Sequence, residues 1–353
     1  MNMSRAGCCV ALRSALLICA LIMSALPGTG ADLPSPTLLV LNKGTVQGDL
    51  PGDLAFVDPK TGQVFTRIPV GNEPHEVAIS ANGELAVVTN TGSYVNRGNT
   101  LSVIDISQRK EIHRVSLGAL WNPHGVVFKD GKFYFTAEGS KMIGRYDPSS
   151  NQVDWQLGVG QNQTHLLTFS KDGKLIFTMN RGSKSVSIIE PLQEYKTPGA
   201  VMGWTETIVP VCGGPDGIDV SPDGRQIWVG CRYDNKINII DIATRRVTES
   251  FDTNTKGMSR VKFTPDGLHV VGTDVFAGQV IIFDVATRKE IKRIDVGKSC
   301  EGILISPDGL EAFIGVTDSV AVIDLRSFTL SRRLSTGLGP DGMAWLYPKN
   351  QVN

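Results

Sequence analysis

Three histidines and three acids of this chain share one repeated register position, and these are the residue types that could do chemistry. Counting back five residues from the Ser or Thr, or its equivalent, that precedes each tight turn gives His75, His124, His165, Asp216, Ser259, Glu301 and Asp341. Neutral imidazoles and carboxylates are ligands for Zn, Cu, Mn or Fe. They also serve in acid–base catalysis, because His titrates near neutrality. The expected metal ligands are His75, His124 and His165, from three consecutive repeats; the same ring can equally do no more than hold water. A second register position holds Asn42, Asn90, Glu138, Asn180, Cys231, Asp274 and Val316. Cations follow it at Lys43, Arg97, Lys141, Arg181, Lys184, Arg232 and Lys236, and these suit a carboxylate, a phosphate or a sugar acid. Asn90, Glu138, Asn180, Arg181, Arg232 and Asp274 therefore join the ring, Ser259 apart, as the expected ligand-binding set. Trp121 and Tyr94 are placed to wall the same mouth with aromatic rings.

Those positions meet only if the repeats themselves close around an axis. Apolar strands ending in an acid recur at Asp58, Asp105, Asp147, Glu190, Asp241, Asp284 and Asp324, which makes seven copies. A turn glycine after Asn or Asp recurs at Gly83, Gly131, Gly173, Gly224, Gly267 and Gly309, in steps of 48, 42, 51, 43 and 42 residues. Short alternating strands with Asx-Gly turns at a period in the forties predict a β-propeller, all-β, with seven blades of four antiparallel strands. The innermost strand of each blade is strand A, and its first residue lies at one mouth of the central channel. The chain starts with strands B, C and D alone (37–42, 53–58, 63–70) and finishes with a lone strand A at 342–347. The last strand is therefore expected to complete the first blade and close the ring, leaving no open sheet edge. Two stretches lengthen loops on this plan: 90–99 between strands B and C, and 191–211 between C and D.

The first 31 residues stand outside the repeat. Arg5 and Arg13 precede an apolar run at 14–26, and Thr29-Gly30-Ala31 is a small-residue cleavage signal, so 1–31 reads as a secretory signal peptide cut after Ala31. The run is short for a bilayer and Pro27-Gly28 breaks it, so no stable membrane insertion of the mature chain is expected. Residues 32–353 are expected to form a single domain, secreted or periplasmic and monomeric. The whole chain carries 35 basic and 35 acidic residues; losing Arg5 and Arg13 leaves two more acids than bases. A near-neutral domain has no global field for nucleic acid, and none is expected as a partner. Cys212, Cys231 and Cys300 survive removal of the leader, without CxxC, CxxCH or zinc-type spacing. Cys212 enters strand A of one blade and Cys231 leaves its strand B, so the two make either a disulfide or a pair of buried thiols. No nucleophile elbow, phosphate loop or dinucleotide fingerprint is present in the expected fold.

The repeat also carries a family pattern. Val87-Val88-Thr89-Asn90, with Ser-Pro-Asp-Gly at 221–224 and 306–309, resembles the YVTN-repeat β-propellers over about 37–347. The resemblance implies the seven-bladed fold and a secreted setting. It also implies distant kinship with lactonases, with metal-dependent lyases of the streptogramin-lyase type and with noncovalent haem d1 propellers. Because one scaffold hosts unrelated activities, the expected function is binding of a small molecule or protein partner at the channel mouth. A metal-dependent lactonase or lyase, or a haem d1 redox protein using the same ring, is the alternative; beyond a divalent metal, no cofactor is indicated.

Overall fold

The computed structural model describes residues 33–44, 51–93, 95–192 and 203–347. The expected signal peptide and Tyr94 lie outside these residues. Seven separate four-stranded antiparallel sheets form the blades, numbered here from the blade that opens at Pro74. Their inner strands are Pro74–Ile79, Pro123–Lys129, Thr164–Phe169, Pro215–Val220, Met258–Phe263, Ile303–Ile305 and Pro340–Leu346. The last of these pairs with Thr37–Asn42, with Leu38 opposite Trp345 and Val40 opposite Met343. Blade 7 is thus assembled from both ends of the chain, as the complementary ends predicted. Its strand A starts at Pro340, two residues earlier than read from the sequence, because Pro340 still pairs with Asn42 across a bulge.

Blade 5 shows how local chemistry sets the unit. In Gln279–Asp284 the apolar run VIIF is buried throughout, as a strand with sheets packed on both faces requires. In Glu290–Asp295 most residues are exposed, as an outer edge requires. The A–B turn is a hydroxyl–carboxylate device. Thr264 Oγ1 donates to Asp266 Oδ1 at 2.5 Å, His269 N donates back to Thr264 Oγ1 at 3.1 Å, and Gly267 takes a φ of 72°. The Ser221 and Ser306 turns repeat it, with Gly224 and Gly309 also at 72°. That positive φ is why the turn position is glycine. The acid ending strand C caps the next turn: Asp284 Oδ1 accepts Thr287 N at 2.7 Å.

Apolar seams between neighbouring blades make the core. Between blades 7 and 1, Leu39, Leu41, Leu54 and Phe56 pack on Ala86, Val88 and Ile104. Strand pairing extends into the described parts of both lengthened stretches. Gly92 pairs with Arg97, and Pro191 and Leu192 pair with Trp204 and Gly203. No helix among the described residues is long and apolar enough to cross a membrane.

Candidate functional site

The inner strands open irregularly, and that irregularity builds the site. In blades 1 to 5 the pairing of strand A with strand B slips near its start, for example between Pro74 and Val77 and between Met258 and Val261. A bulge adds a residue on one strand, so two successive side chains can turn toward the channel. The first set is the ring anticipated from the repeats. The second set is Glu76, Gly125, Leu166, Gly217, Arg260, Gly302 and Gly342. The glycines let neighbouring inner strands touch: a Cβ on Gly217 would stand 2.6 Å from the Arg260 Cα, and one on Gly342 2.7 Å from the Glu76 Cα. Large side chains fit only where the neighbour is glycine, which leaves Arg260, Glu76 and Leu166 in this layer, with Gly125 beside Leu166.

Above this layer lies a cup of about 590 Å³ at the channel mouth. The three ring histidines line it together with Arg181, Arg232 and Lys43. Arg260 lines both the cup and a smaller cavity of about 200 Å³ in the channel. Its guanidinium reaches Glu76 at 3.0 Å and Asp341 at 3.8 Å, so an ion-paired layer marks the floor of the cup.

The histidine rings stack in chain order, with centroids 4.2 Å apart for His75 and His124 and 3.9 Å apart for His124 and His165. Each end of the stack is tied to a buried carboxylate. His75 Nδ1 meets Asp341 Oδ2 at 2.9 Å, and Lys43 Nζ bridges Asp341 at 2.9 Å and Glu301 at 2.8 Å. At the other end Asp216 accepts from Arg181, from Ser259 Oγ and from Arg232 Nη2, the last at 2.6 Å. Arg181 Nη2 also donates to His165 Nε2 at 2.6 Å. His165 Nδ1 faces Glu138 Oε2 at 3.6 Å. The Nδ1 atoms of His124 and His165 are buried and have no hydrogen-bond partner among the described residues.

Burial and neighbouring charge divide these groups. Burial holds His124 well below the ordinary imidazole pKa, and His75, Arg260 and Arg181 push the same way. His165 is lowered likewise by burial, then by Arg181 and His124. His75 moves oppositely: burial and Lys43 lower it, but hydrogen bonds to Asp341 and Glu73 outweigh them and raise its pKa. Burial raises Glu138 against the pull of Arg181. Burial would also raise Asp216, yet Arg181, Arg232 and Arg260 hold it well below the usual carboxylate range. Asp341 is depressed in the same manner by Lys43 and His75. Two imidazoles held toward the neutral form thus lie between carboxylates held toward the ionised form.

The structure brings together His75, His124, His165, Asp216, Glu301 and Asp341 from the ring, with Glu138, Arg181 and Arg232 from the second tier. It separates Asn90, Asn180 and Asp274, which the sequence reading placed among the ligand-binding residues. These are buried and tie strand B to the chain segment that leads into strand A of the same blade. Asn90 Oδ1 accepts Gly71 N at 2.9 Å, and Asp274 Oδ2 accepts Lys256 N at 2.7 Å. Asn180 bonds Ser185, whose hydroxyl reaches Gln161 at 3.2 Å. In blade 4 the equivalent tie is covalent: Cys212 and Cys231 form a disulfide with a Cα separation of 5.8 Å. Cys300 is a buried free thiol, and burial pushes its pKa up to about 12. Trp121 is 40 % exposed and lies outside the cup lining. Of the metal set expected from the ring, His124 and His165 converge with Glu138, their ligand atoms within 4.8 Å of one another, while His75 Nδ1 meets Asp341. The sequence reading missed Arg260 and Glu76. Their signal was the glycine opposite each, at Gly217 and Gly342.

Fold and cup together define a closed seven-bladed β-propeller with a polar, histidine-lined channel mouth. Residues 202–259 match the model of the YNCE-like beta-propeller family. The chain is 23 % identical over 206 residues to Antigen Lp49 of Leptospira interrogans, a match covering 52 % of this chain and 42 % of Lp49. It thus spans less than half the length of that curated relative. With the repeats and the ring closure, these matches support a likeness to the YVTN-like β-propellers. Among solved structures, hydrazine synthase of Kuenenia stuttgartiensis is similar with a TM-score of 0.63 and 19 % identity, over 76 % of this chain and 88 % of that one. A putative 6-phosphogluconolactonase of Bacteroides uniformis is similar with a TM-score of 0.69 and 13 % identity, over 88 % and 100 %. At these identities the likeness is one of fold.

Proposed function

We propose that the chain is an exported β-propeller that binds a small polar ligand, through an anionic group, in the cup at its channel mouth. The volume of about 590 Å³ suits a small molecule. The observation that carries the reading is the difference between deep and rim cations. Lys43, Arg181, Arg232 and Arg260 are each paired with a buried acid. Arg97 and Lys141 line the same cup, are exposed, and have no carboxylate within 4 Å among the described residues. Unpaired cations over a wall of neutral imidazoles favour a carboxylate, phosphate or sugar acid. The basic, apolar and small-residue segments of 1–31 support export, and a disulfide at Cys212–Cys231 accords with an oxidising compartment.

Calorimetric titration with a panel of small carboxylates, sugar acids and phosphorylated sugars tests this. At least one should bind, and the Arg97→Gln/Lys141→Gln double variant should bind it at least tenfold more weakly, about 1.4 kcal/mol, with unchanged melting. A panel with no binder, or a binder indifferent to both substitutions, would overturn the reading.

A further inference from the structure

We propose that His124, Glu138 and His165 form a site for one divalent transition-metal ion, and that Arg181 is the cation competing with it. The inference rests on the cup being the binding site and adds what would anchor an anion there.

Each of the three residues offers one ligand atom, and these atoms all lie within 4.8 Å of one another. A tetrahedral ion with bonds of 2.0–2.2 Å sets its ligands about 3.4 Å apart. The donors therefore have to close by no more than about 1.4 Å, which side-chain rotation within a cup allows. The second, independent observation is that the Nδ1 atoms of His124 and His165 are buried without a hydrogen-bond partner. A buried polar atom left unpaired costs about 1–3 kcal/mol, so its persistence in both residues of one site points to a ligand. Glu138 reaches them because strand B of blade 2 ends at Ala137 and a single 3-10 turn, Glu138–Ser140, follows. That turn closes on Lys141 in the left-handed region.

The surroundings match those of a metal site. His165 Nε2 lies 3.4 Å from Asp216 Oδ1, the outer carboxylate that orients a coordinating imidazole. Arg181 reports that the pocket attracts a cation: Nη1 stands 3.9 Å from Glu138 Oε1 and Nη2 2.6 Å from His165 Nε2. An ion on His165 Nδ1 leaves the hydrogen on Nε2, which then has to donate to Asp216 while Arg181 withdraws. Two imidazole nitrogens and one carboxylate oxygen suit Zn²⁺ or Co²⁺, with the fourth position open to the cup for water or the anionic group of the ligand. His75 takes no part, because its ring nitrogens are not among the ligand atoms that gather within 4.8 Å.

Calorimetric titration of the full mature chain with ZnCl2 alone, and visible d–d absorption with CoCl2, test the site without any organic ligand. One equivalent should bind. His124→Ala and the near-isosteric Glu138→Gln should each weaken binding by more than about tenfold. His75→Gln should leave it unchanged, and Arg181→Gln should strengthen it. Circular dichroism and metal-free melting check that each variant is folded; Glu138→Gln decides if His124→Ala is not. Absence of heat and absorption, equal affinity in Glu138→Gln, or equal losses for His75→Gln and His124→Ala would each overturn the site. Weaker binding by Arg181→Gln would overturn the competition. None of these results touches the binding of anions through Arg97 and Lys141, so the two readings fail separately.

Discussion

Ending the chain at Leu338 removes the inner strand of blade 7 and so tests the closure of the ring. Pro340–Leu346 is held to Thr37–Asn42 through five paired residues. It also buries Met343 and Leu346, and it carries Trp345, whose ring lies 5.1 Å from Phe313 and whose Nε1 donates to Ile305 O at 2.8 Å. Buried apolar side chains contribute about 1.5–3 kcal/mol each and a ladder hydrogen bond about 1 kcal/mol. The strand as a whole is then worth on the order of 10 kcal/mol, comparable with the entire stability of an ordinary domain. It also covers the inner edge of Thr37–Asn42, which would otherwise offer unpaired backbone groups to another chain. The truncated chain should fail to give a cooperative transition, or should oligomerise. Size-exclusion chromatography with light scattering, alongside differential scanning calorimetry, reads both outcomes. Trp345→Ala in the full chain is the graded version and should cost about 3 kcal/mol. A truncated chain that stays monomeric and melts with the full chain would refute the closure.

Two further expectations follow from the channel. Acidification from pH 6.5 to 5 should destabilise the protein with a slope approaching two protons, about 2.7 kcal/mol per pH unit. His124 and His165 have folded pKa values depressed from 6.5, so their contribution is present above 6.5 and is lost as pH falls below it; His75 is raised, so its contribution is gained above 6.5, is complete below it and adds no slope there. Melting temperature against pH measures the slope, His124→Gln should flatten it, and stability that rises on acidification would contradict the sign. Gly217→Ala should cost about 1–3 kcal/mol or more, because the new Cβ would stand 2.5 Å from Ser259 O and 2.6 Å from the Arg260 Cα. Gly158→Ala, with nothing within 4 Å of its Cβ, should melt as the wild type does.

The fold was legible because each blade repeats its chemistry in local sequence. The hydroxyl–acid–glycine turn and the acid ending strand C act within a few residues, so spacing alone located them. The ring of His75, His124 and His165 was legible for the same reason: register in strand A fixes which residue opens at the mouth. What lay beyond was set by contacts between strands. Asn90, Asn180 and Asp274 share a register with Glu138, yet only Glu138 enters the cup, because strand B stops one residue short and a 3-10 turn carries it over. Asn90 and Asp274 instead accept the backbone N–H groups of Gly71 and Lys256, and Asn180 bonds Ser185 and Ser187 of the next strand. Arg260 and Glu76 were hidden because a bulge, which leaves no mark in the alternation, turns a second residue inward.

The cup is tested most directly by a crystal structure of the protein soaked with the tightest binder from the anion panel. We expect the ligand in the channel mouth, its anionic group within hydrogen-bonding distance of Arg97 or Lys141 and its body against His124. Ligand density on the outer strands or the opposite channel face, with the histidine-lined cup holding only water, would contradict this placement.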